Sequence, residues 1–171
     1  YDASARYVAD RARRAGLDVS VQDFTYEYGF PLGDVVQPKL QVWGRGGFQD
    51  LVAGIFGGTA GGDFGTAINS GAGDVRGRVW AVDLVLPPTP APSSTSACEP
   101  ADFAGFPAGA VALMQRGTCD FGIKATNAAA AGAAAAVIFN EGNAPDRVEL
   151  LQGTVGAPIG IPVVGATFAL G

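Results

Sequence analysis

The feature that most constrains the fold is an alanine-rich segment between two apolar runs, at residues 109–139. Residues 109–114 read Gly-Ala-Val-Ala-Leu-Met, a length and composition that favour a buried strand. Residues 121–131 favour a helix, with Asp120 in position to cap its start. Residues 134–139 favour a second strand because Val-Ile-Phe is strongly strand-prone. The order strand–helix–strand predicts a right-handed parallel crossover.

The helix of this crossover has a face of small side chains. Its predicted inner face carries Phe121, Ala125, Ala128 and Ala129, and Gly132 is expected to end it. Small side chains let a helix approach a sheet closely. We therefore expect this unit to form the centre of the core.

The rest of the chain predicts shorter elements. Residues 2–15 show the spacing of an amphipathic helix that ends at Gly16. Further strands are predicted at residues 19–28, 40–43, 75–86 and 161–165. The strand at residues 75–86 is expected to point four side chains inward: Val79, Ala81, Leu84 and Leu86.

Two segments rich in turn-forming residues lie between these elements. Residues 54–77 are dense in glycine, but they contain no GxGxxG or GxxxxGK[ST] motif, so turns are favoured over a phosphate-binding loop. Residues 87–96 are rich in proline, serine and threonine, which is typical of an extended, solvated segment. We interpret it as a surface excursion rather than an interdomain linker, because neither half of the chain alone offers a convincing core.

The composition excludes several classes of function. The chain contains no histidine, which removes Ser-His-Asp and Cys-His catalysis and histidine-ligated zinc. The formal charge of −5, with no basic cluster larger than Arg11, Arg13 and Arg14, argues against nucleic-acid binding. The longest apolar run, residues 128–139, is shorter than the roughly 20 residues that a membrane span needs.

Two observations concern the origin of the chain. It begins at Tyr1 and its single methionine is Met114, so we expect it to be a piece of a larger protein. Its two cysteines, Cys98 and Cys119, form either one disulfide or two buried thiols. The low charge and the scarcity of lysine favour the disulfide of a secreted, extracellular protein.

The segment 109–140 resembles the core of the protease-associated (PA) domain. The pattern is an apolar strand, Arg-Gly-x-Cys-x-Phe, a lysine and an Asn-Ala in the helix, Ala-Gly-Ala, and a strand that ends in Asn. Residues 161–164, Ile-Pro-Val-Val, are similar to the closing strand of that family. The matching positions are Arg116, Gly117, Cys119, Phe121, Lys124, Asn127, Ala128, Ala131, Gly132 and Ala133.

The flanking residues resemble secreted bizinc aminopeptidases of metallopeptidase family twenty-eight, in which a PA domain is inserted into the peptidase domain. Residues 3–10 and 15–19 resemble the helix and strand that open those enzymes, and residues 82–84 and 98–103 resemble the same subgroup. That subgroup pairs two such cysteines, which implies the disulfide Cys98–Cys119.

The resemblance implies an α+β fold in which a β-sandwich or barrel is flanked by two or three short helices. It implies that residues 1–28 resemble the start of the peptidase domain and that residues 29–171 form the PA domain. It implies no catalytic, cofactor-binding or metal-binding residue in this chain, with zinc expected in the missing peptidase domain. The implied partners are that peptidase domain and a peptide substrate or protein.

A PA-type interaction module of a subtilisin-like protease or sorting receptor is the alternative. A small hydrolase based on carboxylates is a third reading, in which Asp63, Asp74 and Asp83 converge on calcium or act as acid and base. Scattered surface acids are favoured over that site. Sheet packing is likewise favoured over a binding patch for four aromatic residues: Trp43, Trp80, Tyr26 and Tyr28.

Arg116, Thr118 and Phe121 are the candidates for contact with a substrate or partner. A guanidinium recognises carboxylates, although a structural contact in the turn is the favoured role of Arg116. Lys124 is expected to extend its ammonium to solvent from the helix. Asn127 is expected to hydrogen-bond to a neighbouring loop.

Overall fold

The computed structural model describes residues 2–20, 39–44, 47–51, 62–90 and 94–171. These residues contain two α-helices, α1 (Asp2–Arg14) and α2 (Phe121–Ala130). They contain seven strands: β1 (Gln41–Gly44), β2 (Gly47–Asp50), β3 (Phe64–Thr66), β4 (Val79–Val82), β5 (Val111–Gln115), β6 (Ala135–Phe139) and β7 (Val163–Ala166). Two short 3-10 helices span Pro100–Phe103 and Pro145–Arg147.

The chain divides into two compact units, residues 1–35 and 36–171. The first contains α1, which ends where predicted, with Gly16 at a φ of +80°. On the surface of α1, Arg13 pairs with Asp10 at 3.2 Å. The strand predicted at residues 19–28 and the predicted boundary between residues 28 and 29 lie largely or wholly outside the described residues.

The second unit is built on a five-stranded mixed sheet in the order β3-β7-β6-β5-β4. Strands β4, β5, β6 and β7 are parallel to one another, and β3 is antiparallel to β7. Strands β1 and β2 form a separate antiparallel ribbon. This arrangement confirms the α+β fold class.

The predicted crossover is present as β5-α2-β6, with β5 and β6 parallel. Ala125 and Ala128 of α2 are fully buried, and α2 packs against β6. Met114 of β5 and Ile138 of β6 belong to the same apolar core. The alanine-rich sequence therefore works as predicted, because the small side chains of Ala125 and Ala128 let the helix lie close to the sheet, while Phe121 packs against the core at the start of the helix.

The prediction for the inward face of residues 75–86 was wrong. In β4 the buried residue is Val82, whereas Val79 is 56% exposed and Ala81 is also exposed. Leu84 is half-buried, and Leu86 lies on the surface. In this edge strand only the last of the four residues is buried, so burial follows the position along the strand, and the apolar alternation in the sequence did not identify it.

The proline-rich segment lies within the second unit, in agreement with a surface excursion. Its end is not solvated, however, because Ser94 and Ser96 are buried. Within the described residues, neither helix combines the length and the apolar character needed to cross a lipid bilayer.

The core assignment predicts the effect of shortening Ile138. The substitution Ile138→Ala removes a side chain that is 2% exposed. Loss of burial and the cavity left behind are expected to lower the free energy of unfolding by about 2–5 kcal/mol. Denaturant titration of the chain measures this loss. The matched control is Ile123→Ala on α2, where the side chain is 45% exposed and a change below about 1 kcal/mol is expected. Equal losses for the two variants would contradict the assignment.

Candidate functional site

The Arg-Gly-Thr-Cys sequence lies in the turn between β5 and α2, where a neighbouring loop, residues 94–98, packs against it. The amide of Thr118 donates a hydrogen bond to the carbonyl of Ser94 at 3.0 Å. At Gly117 an added Cβ atom would lie 1.7 Å from that same carbonyl oxygen. Glycine is therefore required at this position because the two backbone segments touch.

A disulfide joins the same loop to the start of α2. Cys98 and Cys119 are bonded, with their Cα atoms 5.8 Å apart. This pairing confirms the disulfide that the resemblance implied. The loop is thus attached both by hydrogen bonding at Ser94 and by a covalent bond at Cys98.

Lys124 of α2 is fully buried beneath this loop. Its ammonium donates a short hydrogen bond to the carbonyl of Ser96 and lies 3.7 Å from Cys98 Sγ. The expectation that this side chain reaches solvent was wrong. Lys124 lies one residue before Ala125 on the inner face of the helix, and the loop carbonyl supplies the polar partner that water would otherwise provide.

Burial lowers the pKa of Lys124 to about 8. The carboxylates of Asp102, Glu141 and Asp83 oppose this shift because they stabilise the ammonium. Lys124 is therefore charged at neutral pH and loses its proton near pH 8.

Asn127, one turn further along α2, holds the same loop. Its side-chain amide donates hydrogen bonds to the carbonyls of Ala97 and Cys98, each at 3.0 Å. This confirms the predicted contact with a neighbouring loop. Lys124 and Asn127 together bind three consecutive carbonyls of the loop, those of residues 96, 97 and 98.

Buried polar residues on the sheet side complete the attachment of the loop. Ser96 donates from its hydroxyl to the carbonyl of Val82, and that hydroxyl accepts from the amide of Gln115 at 3.0 Å. Glu141 accepts a hydrogen bond from the amide of Ser94 at 3.0 Å and forms an ion pair with Arg147 at 2.8 Å. Every buried charge or hydroxyl in this set has a partner, as burial requires.

The sequence reasoning missed the buried roles of Ser96, Gln115 and Glu141. A signal existed for two of them. Gln115 ends an apolar strand and Glu141 follows the end of the next strand by two residues, so both stand where parallel strands reach the same edge of the sheet. No comparable signal marked Ser96, which lies in a segment of solvated composition.

Arg116 is half-buried, and its guanidinium donates a hydrogen bond to Asn140 Oδ1 at 3.3 Å. Burial, and then the neighbouring guanidinium of Arg147, lower the pKa of Arg116 below its usual value. The favoured expectation of a structural contact agrees with the bond to Asn140. A contact of Arg116 with a substrate or partner stays a prediction.

The three predicted contact residues, Arg116, Thr118 and Phe121, line one open groove of about 780 Å³. The opposite wall is formed by residues 153–157. Gly153 lies close to the other wall, since an added Cβ atom would be 2.6 Å from the ring of Phe121. The groove is thus lined by an arginine whose guanidinium is bound to Asn140, a threonine, a phenylalanine and several glycines.

The alternative sites receive no support from the described residues. Among these residues, no three histidine, cysteine, aspartate or glutamate side chains are grouped so that they could hold a metal ion, and this includes Asp63, Asp74 and Asp83. Of the four aromatic residues considered as a patch, Trp80 is half-exposed at the edge strand; Tyr26, Tyr28 and the side chain of Trp43 lie outside the described parts.

Comparison with known proteins gives a consistent set of similarities. The sequence model of the PA domain matches residues 80–171, more than half of the chain. Aminopeptidases from two strains of Pseudomonas aeruginosa, UCBPP-PA14 and PAO1, are each 43% identical to this chain over 176 residues. That alignment covers 98% of this chain but 29% of each aminopeptidase, so the chain spans less than a third of these relatives.

A solved structure with a TM-score above 0.5 agrees with the sequence similarities. An aminopeptidase from Aneurinibacillus sp. strain AM-1 superposes with a TM-score of 0.64 and 25% identity, over 97% of this chain and 32% of that one. A zinc aminopeptidase from Bacillus subtilis aligns over 96% of this chain and 32% of its own, with 25% identity and a TM-score of 0.47.

The close approach at Gly117 predicts that a single methyl group is destabilising. In Gly117→Ala the new Cβ atom would overlap the carbonyl oxygen of Ser94, so the loop must move. We expect the free energy of unfolding to fall by about 1–3 kcal/mol. The control is Gly160→Ala, where an added Cβ atom has no neighbour within 4 Å. Equal free energies of unfolding for the two variants in denaturant titration would show that the loop does not pack against the turn at Gly117.

The buried ammonium predicts a dependence of stability on pH. Because the folded pKa of Lys124, about 8, lies below the ordinary value of 10.5, the unfolded state binds more protons between these values. Stability should therefore rise with pH from about 8 to 10.5, by up to about 3 kcal/mol, and be independent of this group below pH 8. The measurement is the difference in unfolding free energy between the wild type and Lys124→Met across this range, which cancels the other titrating groups. If the unfolding free energy of the wild type minus that of Lys124→Met stays constant or falls with pH, the lysine is not buried as described.

Proposed function

Because this chain belongs to the PA domain family, we propose that it is the non-catalytic protease-associated domain of a secreted zinc aminopeptidase. In this proposal the domain contacts peptide substrates or protein partners beside the peptidase domain. The observation that carries the role is the open groove in which Arg116, Thr118 and Phe121 meet.

The relatives support an aminopeptidase as the parent protein. The alignment with the Pseudomonas aminopeptidases runs over 98% of this chain, so it includes the part matched by the PA domain model and nearly all that precedes it. A PA module on a subtilisin-like protease or sorting receptor would share the PA part alone. The comparisons therefore favour the aminopeptidase over that alternative.

The residue content supports an accessory role. Without histidine, the chain has no imidazole to ligate zinc or to act as a general base. Its described carboxylates do not group into a metal site. Zinc and the catalytic residues would then belong to the peptidase domain of the parent, while the disulfide supports an oxidising, extracellular location.

The groove supports contact with an extended peptide more than simple covering of the peptidase cleft. Phe121 offers apolar surface, and Arg116 and Thr118 offer donors to carbonyl or carboxylate oxygens. A surface that served only to cover a cleft would not need a concave shape with convergent polar groups. We therefore place peptide recognition in this groove.

The proposal predicts that filling the groove separates long substrates from short ones. In the full-length parent, Thr118→Arg places a long side chain in the groove at an exposed position. Loss of one good contact, about 1.4 kcal/mol, should lower kcat/KM for peptides of ten or more residues about tenfold. The kcat/KM for short aminoacyl-nitroanilides should not change, because these substrates do not reach beyond the peptidase site.

The matched control is Thr126→Arg, an equal change at an exposed position of α2 that does not line the groove. It should leave kcat/KM for both substrates unchanged. Unaltered hydrolysis of long peptides by the Thr118 variant would contradict the role of the groove. Zinc-dependent turnover of aminoacyl-nitroanilides by the 171-residue chain alone would contradict the accessory role.

A further inference from the structure

The two sulfur atoms of the disulfide lie in different surroundings. Cys119 lines the open groove, between Thr118 and Asp120, whereas Cys98 is not among the residues that line it. Cys98 Sγ instead lies 3.7 Å from the ammonium of the fully buried Lys124. Both cysteines are half-buried, and Cys98 Sγ also lies 3.9 Å from Thr118 Oγ1. The difference between the two sulfurs is therefore that Cys119 lines the groove, whereas Cys98 faces a buried positive charge.

This difference matters because a disulfide is broken by attack of a thiolate on one sulfur while the other leaves as a thiolate. The sulfur with the lower thiol pKa leaves faster. A cation within about 4–6 Å lowers the pKa of an acid by roughly 1–3 units. Cys98, next to Lys124, is therefore the better leaving group.

The charges near Cys119 do not cancel the preference for Cys98 as the leaving group. The start of α2 favours a thiolate at Cys119, but it carries only about half a charge. The carboxylate of the adjacent Asp120 opposes that effect. The guanidinium of Arg116, which lines the same groove, is bound to Asn140 Oδ1 at 3.3 Å. Around Lys124, the carboxylates of Asp102, Glu141 and Asp83 keep the ammonium protonated near neutral pH.

We propose that Cys119 is a site of covalent modification by small thiols. A thiolate entering the groove attacks Cys119 Sγ, and a new sulfur–sulfur bond forms between them. The Cys98–Cys119 bond breaks, and its electron pair leaves on Cys98 as a thiolate beside the Lys124 ammonium. The exchange needs no other oxidant or reductant, because one disulfide replaces another.

The contacts of the loop that do not involve the disulfide keep the domain folded in the modified state. After the disulfide opens, Lys124 and Asn127 still bind the carbonyls of residues 96–98. The attached group would stand in the groove with Arg116 and Thr118, at the surface to which peptide contact is assigned above. Modification of Cys119 would then block the groove without unfolding the core.

The test uses the full-length protein and 2-mercaptoethanol, a neutral thiol that is not steered by the charges of the groove. After brief exposure at pH 7, the reaction is stopped with acid and free thiols are alkylated. Peptide mapping by mass spectrometry then gives the ratio of adduct on Cys119 to adduct on Cys98. We expect a ratio of about ten or more, because the ammonium that lies 3.7 Å from Cys98 Sγ stabilises the thiolate leaving from Cys98.

Lys124→Met should reduce this ratio at least threefold. Lys124→Arg, which keeps the charge, should give a ratio close to that of the wild type. Lys39→Met is the matched control, because Lys39 is the only other lysine and is exposed. If Lys124→Met fails to fold, the wild type at pH 9.5 serves instead. The lysine is then largely uncharged, and the ratio, which does not depend on thiolate concentration, should fall.

Three results would overturn the proposal. The first is an adduct mainly on Cys98, or an equal ratio, in the wild type at pH 7. The second is a ratio unchanged both by pH 9.5 and by a folded Lys124→Met variant. The third is that neither an adduct nor a free thiol appears at Cys98 or Cys119 after prolonged exposure to excess thiol, since the groove would then not give access to Cys119.

Discussion

The burial of one lysine on α2 is the constraint on which the arrangement of the site depends. An ammonium withdrawn from water must find oxygen partners, and Lys124 finds one in the carbonyl of Ser96. This requirement fixes a loop of irregular backbone against the helix. Asn127 and the disulfide hold the next residues of the same loop, and Ser94 then meets the turn at Gly117. The turn that carries Arg116 and Thr118 is thereby held in one position.

Much of the fold follows from local sequence patterns. The crossover β5-α2-β6 is predictable because alanine on one helix face and Val-Ile-Phe in a strand each favour a single structure. The covered face of β4 is not predictable in the same way, since an edge strand with apolar residues at both parities offers no local signal. Which of Val79 and Val82 is buried depends on where the rest of the sheet lies.

The site was predictable to a smaller extent. Arg116 and Phe121 belong to the motif and Thr118 lies between them, and the structure brings these three predicted contact residues to one groove. The burial of Lys124 and Ser96 could not be predicted, because the two residues are partners that lie 28 residues apart along the chain. A lysine in a helix ordinarily extends to solvent. Only the folded loop shows that this one does not.

The central claim is that the Lys124 ammonium holds loop 94–98 against α2 and so shapes the groove. Hydrogen–deuterium exchange of wild type and Lys124→Met tests it most directly, because the amides of Ser94, Ser96, Cys98 and Thr118 all donate hydrogen bonds within this assembly. The account predicts faster exchange in peptides covering residues 94–98 and 117–118, with unchanged protection in β6 and β7. Equal protection of residues 94–98 in the two proteins would contradict it.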